Sequence, residues 1–231
     1  VDSEEISHNP LADLRMKIKR KRSIAVTPLT EKEAGQLLEQ ARVFMDGFHY
    51  PALLCALRTG MRMGELQALK WQDISFDERL IEVKRSWRKK RLTETKNRQN
   101  RSIDMTQHLA ETLKNLRVDQ KKEALRNGWP VPEWVFASKR GEMLCRSSLE
   151  NAIRQCLKNA GLRKIRPHDL RHSYATIRLL RGHNVGDVSY QLGHSSIQIT
   201  YDVYGHWIPG RFKSEVDELD TPLQTNVNGC K

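Results

Sequence analysis

Arg166-Pro167-His168-Asp169-Leu170-Arg171-His172 has the form of a helix start. A proline suits such a position, because its missing amide proton has no partner in the first turn. His168 and Arg171 are three residues apart and share one helix face. An imidazole and a guanidinium then stand side by side near a helix N-terminus, where free backbone amides already favour an anion. Taken alone, the segment reads equally well as a phosphate site and as a basic solvated face. His168 and His172 also make an H-x-x-x-H pair, the spacing of two zinc-binding histidines on a helix. Asp169 rather than Glu follows the first histidine, and no third ligand lies nearby in sequence. A metal site is therefore not expected.

Working outward, the segment from His168 to Tyr204 reads as three short helices broken at Gly182 and Gly193. Leu192-Gly193-His194-Ser195-Ser196 precedes the last of them, and Ser195 or Ser196 is placed to cap a helix carrying Tyr201 and Tyr204. Far upstream stands Thr59-Gly60-Met61-Arg62-Met63-Gly64-Glu65-Leu66. Glycines on both sides of Arg62 let the backbone turn sharply and present that side chain from a loop. Glu65 is placed to bond the guanidinium and fix its orientation. Each of these features has a bland reading by itself: a surface arginine in a helical turn, a tyrosine half-buried in packing.

The remaining elements follow from caps and periodicity. Thr30 to Glu33 fits a capping box at the start of a helix through Leu37, Leu38 and Phe44. A second helix runs from about Tyr50 to Leu57 and ends at Thr59-Gly60, and a short third holds Leu66, Ala68 and Leu69. Leu80 to Val83 and Arg101 to Met105 look like strands, with room for another between Lys89 and Asn100. Helices return after Thr106, the first stopping near Arg126 before Gly128, and Ser147-Ser148-Leu149-Glu150 reads as a second capping box. The expected fold is α+β and mainly α-helical, with a small antiparallel sheet of two or three strands.

The chain has 231 residues, 38% hydrophobic and 29% charged, which allows a packed core beneath a very polar surface. Forty Lys and Arg against twenty-eight Asp and Glu give a net charge of +12. That balance favours a polyanion, either nucleic acid or an anionic membrane. No apolar run approaches the roughly 20 residues that span a bilayer, and the N-terminus lacks the features of a signal peptide. A cytoplasmic protein, with no membrane partner, is expected. Cys55, Cys145, Cys156 and Cys230 are scattered, which indicates neither a disulfide framework nor a zinc finger. The first 25 residues read as a tail, in which the run from Lys17 to Arg22 suits a nuclear signal or a flexible linker on phosphate. A start at Val1 suggests a piece of a longer protein.

Thr59 to Leu66, His168 to His172, Leu192 to His194 and Tyr204-Gly205-His206 together, in that order, resemble the tyrosine recombinases of the phage-integrase family. The family pattern is an Arg in a T-G-x-R-x-G-E loop, then H-x-L-R-H, L-G-H and a Tyr about ten residues later. All four parts are present without a substitution, and the resemblance covers about residues 28 to 210.

The resemblance implies an integrase-type catalytic domain over residues 26–207, preceded by a remnant of another domain and a basic linker at 1–25. A C-terminal tail at 208–231 packs on its own subunit or reaches a neighbour. It makes Tyr204 the nucleophile, with Tyr201 as competitor. Tyr204 is preferred because it stands ten residues after His194 and directly precedes Gly-His; Tyr201 is left to pack the last helix. It gives Arg62 and Arg171 the phosphate oxygens, which two guanidinium forks bind bidentately. His168 then takes the phenolic proton, and His194 bonds a non-bridging oxygen or the phenolate. A lysine on a β-hairpin protonates the departing 5′ oxygen; Thr95-Lys96 points to Lys96, with Lys89 and Lys90 as rivals. The product is a 3′-phosphotyrosine link that a partner strand's 5′ hydroxyl can attack, so neither metal nor ATP nor another cofactor is implied. The implied partners are double-stranded DNA, three further copies in a tetramer on paired sites, and accessory DNA-bending proteins. Other readings are a type IB topoisomerase, which shares the active-site chemistry but is disfavoured by the L-G-H and Y-G-H motifs, and a metal-dependent nuclease, disfavoured by the missing acidic cluster. A non-enzymatic DNA-binding module would leave Arg62 and Lys96 without purpose.

Overall fold

A computed structural model of the protein describes residues 27–89, 91–94 and 101–208. The expected tail at 1–25, Lys90, Lys96 and all of 208–231 except Ile208 lie outside the described residues. The first helix, α1 (Glu31–Val43), starts where the capping box predicts. Thr30 Oγ1 accepts the Glu33 amide at 3.2 Å, and the Glu33 carboxylate accepts the Thr30 amide at 2.8 Å. Ala34, Leu37, Leu38 and Ala41 then form its buried stripe.

The next helix, α2 (Tyr50–Thr59), is buried on every side, which explains its nearly continuous apolar sequence. It packs against α1 and against two helices that come later, α4 (Gln107–Asn127) and α6 (Asp169–Leu180). Gly60 ends it in the left-handed region at φ 63°. A Cβ there would stand 2.5 Å from a Tyr174 ring carbon and 2.8 Å from a Leu192 methyl carbon. Gly60→Ala is expected to lose about 2–5 kcal/mol of stability from strain and overpacking together, measured by urea denaturation; a wild-type midpoint would contradict this packing.

Arg62 is the N-cap of the short α3 (Met63–Gln67), so Ala68 and Leu69 fall just beyond the helix, although both are buried. Gly64 does not help the chain turn, as its position beside Arg62 suggested. It is helical, and a Cβ there would come within 2.4 Å of the Trp87 carbonyl oxygen. Its missing side chain lets α3 lie directly on a strand.

The β region holds the expected small antiparallel sheet, of three strands, and a separate hairpin besides. β1 (Ile74–Ser75), β2 (Leu80–Val83) and β5 (Arg101–Asp104) form an antiparallel three-stranded sheet in the order β1-β2-β5. Ile81 pairs with Ile103, and both are fully buried on its inner face. Between β2 and β5, the segments β3 (Arg85–Arg88) and β4 (Arg91–Glu94) make a separate hairpin that sits on α3. Lys89, at φ 47°, lies exposed in the turn of this hairpin.

α4 ends at Gly128 as expected. The following helix, α5 (Arg146–Asn159), starts earlier than Ser147-Ser148-Leu149-Glu150 suggests. Cys145 is its N-cap, with Sγ accepting the Ser148 amide at 3.4 Å. Ser148 Oγ is instead bonded to buried His49 Nε2 at 2.9 Å. The last helices are α6, α7 (Val185–Leu192) and α8 (Ile197–Tyr204). They enclose a second, smaller apolar cluster that includes Tyr174, Leu179, Val188, Leu192 and Tyr204. Ser196 caps α8, its hydroxyl accepting the Gln198 amide at 3.2 Å.

Candidate active site

Four chain segments meet at one cavity of about 420 Å³. It is lined by Arg62, His168, Arg171, His172, His194 and Tyr204, among others. Arg62 comes from the start of α3, His168 and Arg171 from the first turn of α6, His194 from the α7–α8 connection and Tyr204 from the end of α8. Five of the six side chains singled out for chemistry are thus brought together from positions up to 142 residues apart (204 minus 62). The sixth, Lys96, lies outside the described residues.

Each arginine is fixed from behind. The Arg171 side chain is buried, and its Nη1 donates to the Gly60 carbonyl at 2.8 Å. Burial and the neighbouring Arg62 lower its pKa to about 10, which still leaves it charged at neutral pH. Arg62 is more open. Its Nη1 donates to Glu65 Oε1 at 3.0 Å and its Nη2 to the Gly193 carbonyl at 3.2 Å. Two cations aimed into one small cavity repel each other, and an anion between them relieves that repulsion.

Glu65 does more than the sequence proposed for it. Burial opposes its ionisation, yet Arg101 and Arg62 together hold its carboxyl below the usual range. Arg101 Nη2 donates to Glu65 Oε2 at 2.6 Å and its Nε to the Gln191 carbonyl at 2.9 Å. This buried arginine therefore ties the Glu65–Arg62 pair to the end of α7, from which His194 emerges. The sequence held a signal for it: strand alternation puts Arg101 on the same inward face as Ile103, where a cation needs a partner.

Tyr204 and Tyr201 have opposite fates. Tyr204 is 1% exposed, while Tyr201 is 46% exposed and turned outward instead of packing the helix. The Tyr204 hydroxyl is 2.7 Å from His172 Nδ1, and its ring lies parallel to that of His194, with centroids 6.4 Å apart. Burial pushes the phenol up to about 12, against the pull of Arg171. His194 is oriented by Thr200, whose Oγ1 lies 2.8 Å from its Nδ1, and burial with the nearby arginines lowers its pKa to about 4. His168 is exposed on the cavity and engages in no hydrogen bond with another described side chain; its ring meets that of His172 edge-on at 4.9 Å. Partial enclosure of its ring, then the nearby Arg171, lowers its pKa as well. Neutral imidazoles beside two guanidinium groups suit a site whose ligand carries the negative charge.

Among the described residues, no group of three or more His, Cys, Asp or Glu is placed to hold a metal ion, and no helix is long and apolar enough to cross a membrane.

The model of the Phage integrase family matches residues 27–209. A tyrosine recombinase XerC-like protein of Caldanaerobacter subterraneus is 28% identical over 95% of this chain and 61% of its own length. The ICEBs1 integrase of Bacillus subtilis is 29% identical over 96% of this chain and 61% of its own. The chain thus spans about 61% of the length of these curated relatives. Among solved structures, the XerA recombinase is similar with a TM-score of 0.62 and 28% identity, covering 84% of this chain and 63% of that one. The catalytic domain of bacteriophage HP1 integrase shares the fold, with a TM-score of 0.59 and 22% identity, over 86% of this chain and 99% of its own.

Proposed function

The chain belongs to the phage integrase family, and from that premise we propose that it is the catalytic part of a site-specific tyrosine recombinase. It cleaves and rejoins DNA strands through a 3′-phosphotyrosine intermediate and a four-way junction. The observation that carries this reading is the Tyr204 hydroxyl, buried in the same cavity as the guanidinium groups of Arg62 and Arg171.

The chemistry follows from the charges. A phosphodiester under attack gathers negative charge on its equatorial oxygens, and two fixed guanidinium groups stabilise it without reorganising. His168, exposed on the cavity and without a hydrogen bond to another side chain among the described residues, bonds one of those oxygens, and His194 bonds another. Lys96 protonates the departing 5′ oxygen. Its place in the sequence, just after the Arg91–Glu94 strand of the β3–β4 hairpin, supports a position near that hairpin. The catalytic domain is residues 26–207, with residues 1–25 a linker and preceding remnant and 208–231 a tail. The full-length enzyme acts on double-stranded DNA as a homotetramer on paired sites, assisted by DNA-bending proteins, at the nucleoid.

Covalent capture tests the proposal. The probe is a pool of duplexes, each nicked near a stretch of randomised base pairs, so that cleavage releases a short fragment and traps the protein on DNA. An adduct resistant to denaturant is expected in the presence of EDTA, with sequences enriched from the pool. Loss of the adduct on adding EDTA would overturn the metal-free chemistry; no adduct under any condition would overturn the recombinase reading.

A further inference from the structure

The resemblance hands the phenolic proton to His168, but the contact lies elsewhere. His172 Nδ1 is 2.7 Å from the Tyr204 hydroxyl, whereas no hydrogen bond joins His168 to that tyrosine. Resting on the recombinase reading, we propose that His172 is the proton acceptor for Tyr204, and that His168 serves the phosphate.

The geometry separates the two histidines. They stand one helical turn apart on α6, at i and i+4. The first lies on the open cavity with no hydrogen bond to a side chain among the described residues, and the second is half-buried and bonded to Tyr204 of α8. A phosphate entering the cavity meets His168 directly, while His172 is already occupied by the phenol. The tilted packing of the His172 and Tyr204 rings, with centroids 5.6 Å apart, holds that contact in place. Burial, then the neighbouring His168, keeps the His172 imidazole neutral at pH 7, so a lone pair is available. With the second ring nitrogen carrying the hydrogen, Nδ1 is the accepting atom.

The step balances without an outside reagent. The Tyr204 O–H bond breaks and its proton passes to His172 Nδ1 as the phenolic oxygen bonds to phosphorus. The bond from phosphorus to the 5′ oxygen breaks, and that oxygen takes a proton from a separate acid. The imidazolium formed is stabilised by the negative charge gathering on the phosphate beside it. When a 5′ hydroxyl attacks the phosphotyrosine, His172 returns the proton to the leaving phenolate.

The test uses the nicked duplex enriched by the wild-type protein. His172→Gln keeps a polar side chain near the phenol but removes the base, and adduct formation is expected to slow by about 100-fold or more. Replacing Tyr204 with 3,5-difluorotyrosine lowers the phenol's own pKa and weakens the need for a base. That replacement is expected to recover at least about tenfold of the loss in His172→Gln, and almost none of the loss in His168→Gln. Because this rescue acts on the chemistry, it separates a missing base from a misfolded variant. A wild-type rate in His172→Gln, rescue confined to His168→Gln, or rescue of neither variant would each overturn the assignment. If the wild-type protein forms no adduct, the recombinase reading itself fails and the assignment falls with it.

Discussion

Replacing Tyr204 by phenylalanine is expected to abolish covalent capture of DNA while leaving fold and DNA affinity intact. The ring of Tyr204 is part of the small apolar cluster under α6, α7 and α8, and phenylalanine preserves its shape. The variant loses one hydrogen bond, to His172 at 2.7 Å, worth about 1 kcal/mol. Chemistry loses its nucleophile, and the effect there is complete. DNA affinity rests on the net charge of +12 spread over the chain, which the substitution does not touch. Electrophoretic mobility shift and covalent capture on the same duplex check both halves. Failure to bind would mean that Tyr204 has a structural role, and persistence of the adduct would mean that another side chain attacks.

Arg62→Lys is expected to slow adduct formation by about 10²–10³-fold, despite conserving charge. The guanidinium of Arg62 makes two contacts at once, to Glu65 at 3.0 Å and to the Gly193 carbonyl at 3.2 Å, and still lines the cavity. A lysine ammonium is a point charge on a flexible stem and cannot hold that fork. Stability should change little, because Glu65 keeps its buried partner Arg101 at 2.6 Å. Matching urea midpoints with a large loss of rate would therefore place the effect in the chemistry. A lost midpoint would place it in the fold instead.

Much of this was legible from residue order, and the reasons are physical. Caps and stops are local, so Thr30, Gly60, Gly128 and Gly193 announced their helix ends from sequence alone, and the α8 cap was narrowed to Ser195 or Ser196. The cavity's composition was legible because Arg62, His168, Arg171, His194 and Tyr204 occur in an ordered pattern. What sequence could not supply is contact between distant elements. H-x-x-x-H spacing shows that His168 and His172 share a helix face, but only the packing of α8 across α6 decides which one meets Tyr204. Arg101 stayed hidden among many cations until the fold set it against Glu65. The α5 cap was misplaced because the Ser147 hydroxyl turns back to Cys145 Sγ, at 3.1 Å, and Cys145 itself accepts the Ser148 amide. The separate β3–β4 hairpin was obscured because its strands are polar and lack strict alternation.

The most direct test is to digest the adduct formed in EDTA and identify by mass spectrometry the residue that carries the nucleotide. The expected result is a single modified peptide with the phosphodiester on Tyr204. A nucleotide on Tyr201 instead, three residues earlier and facing solvent, would contradict the account at its centre.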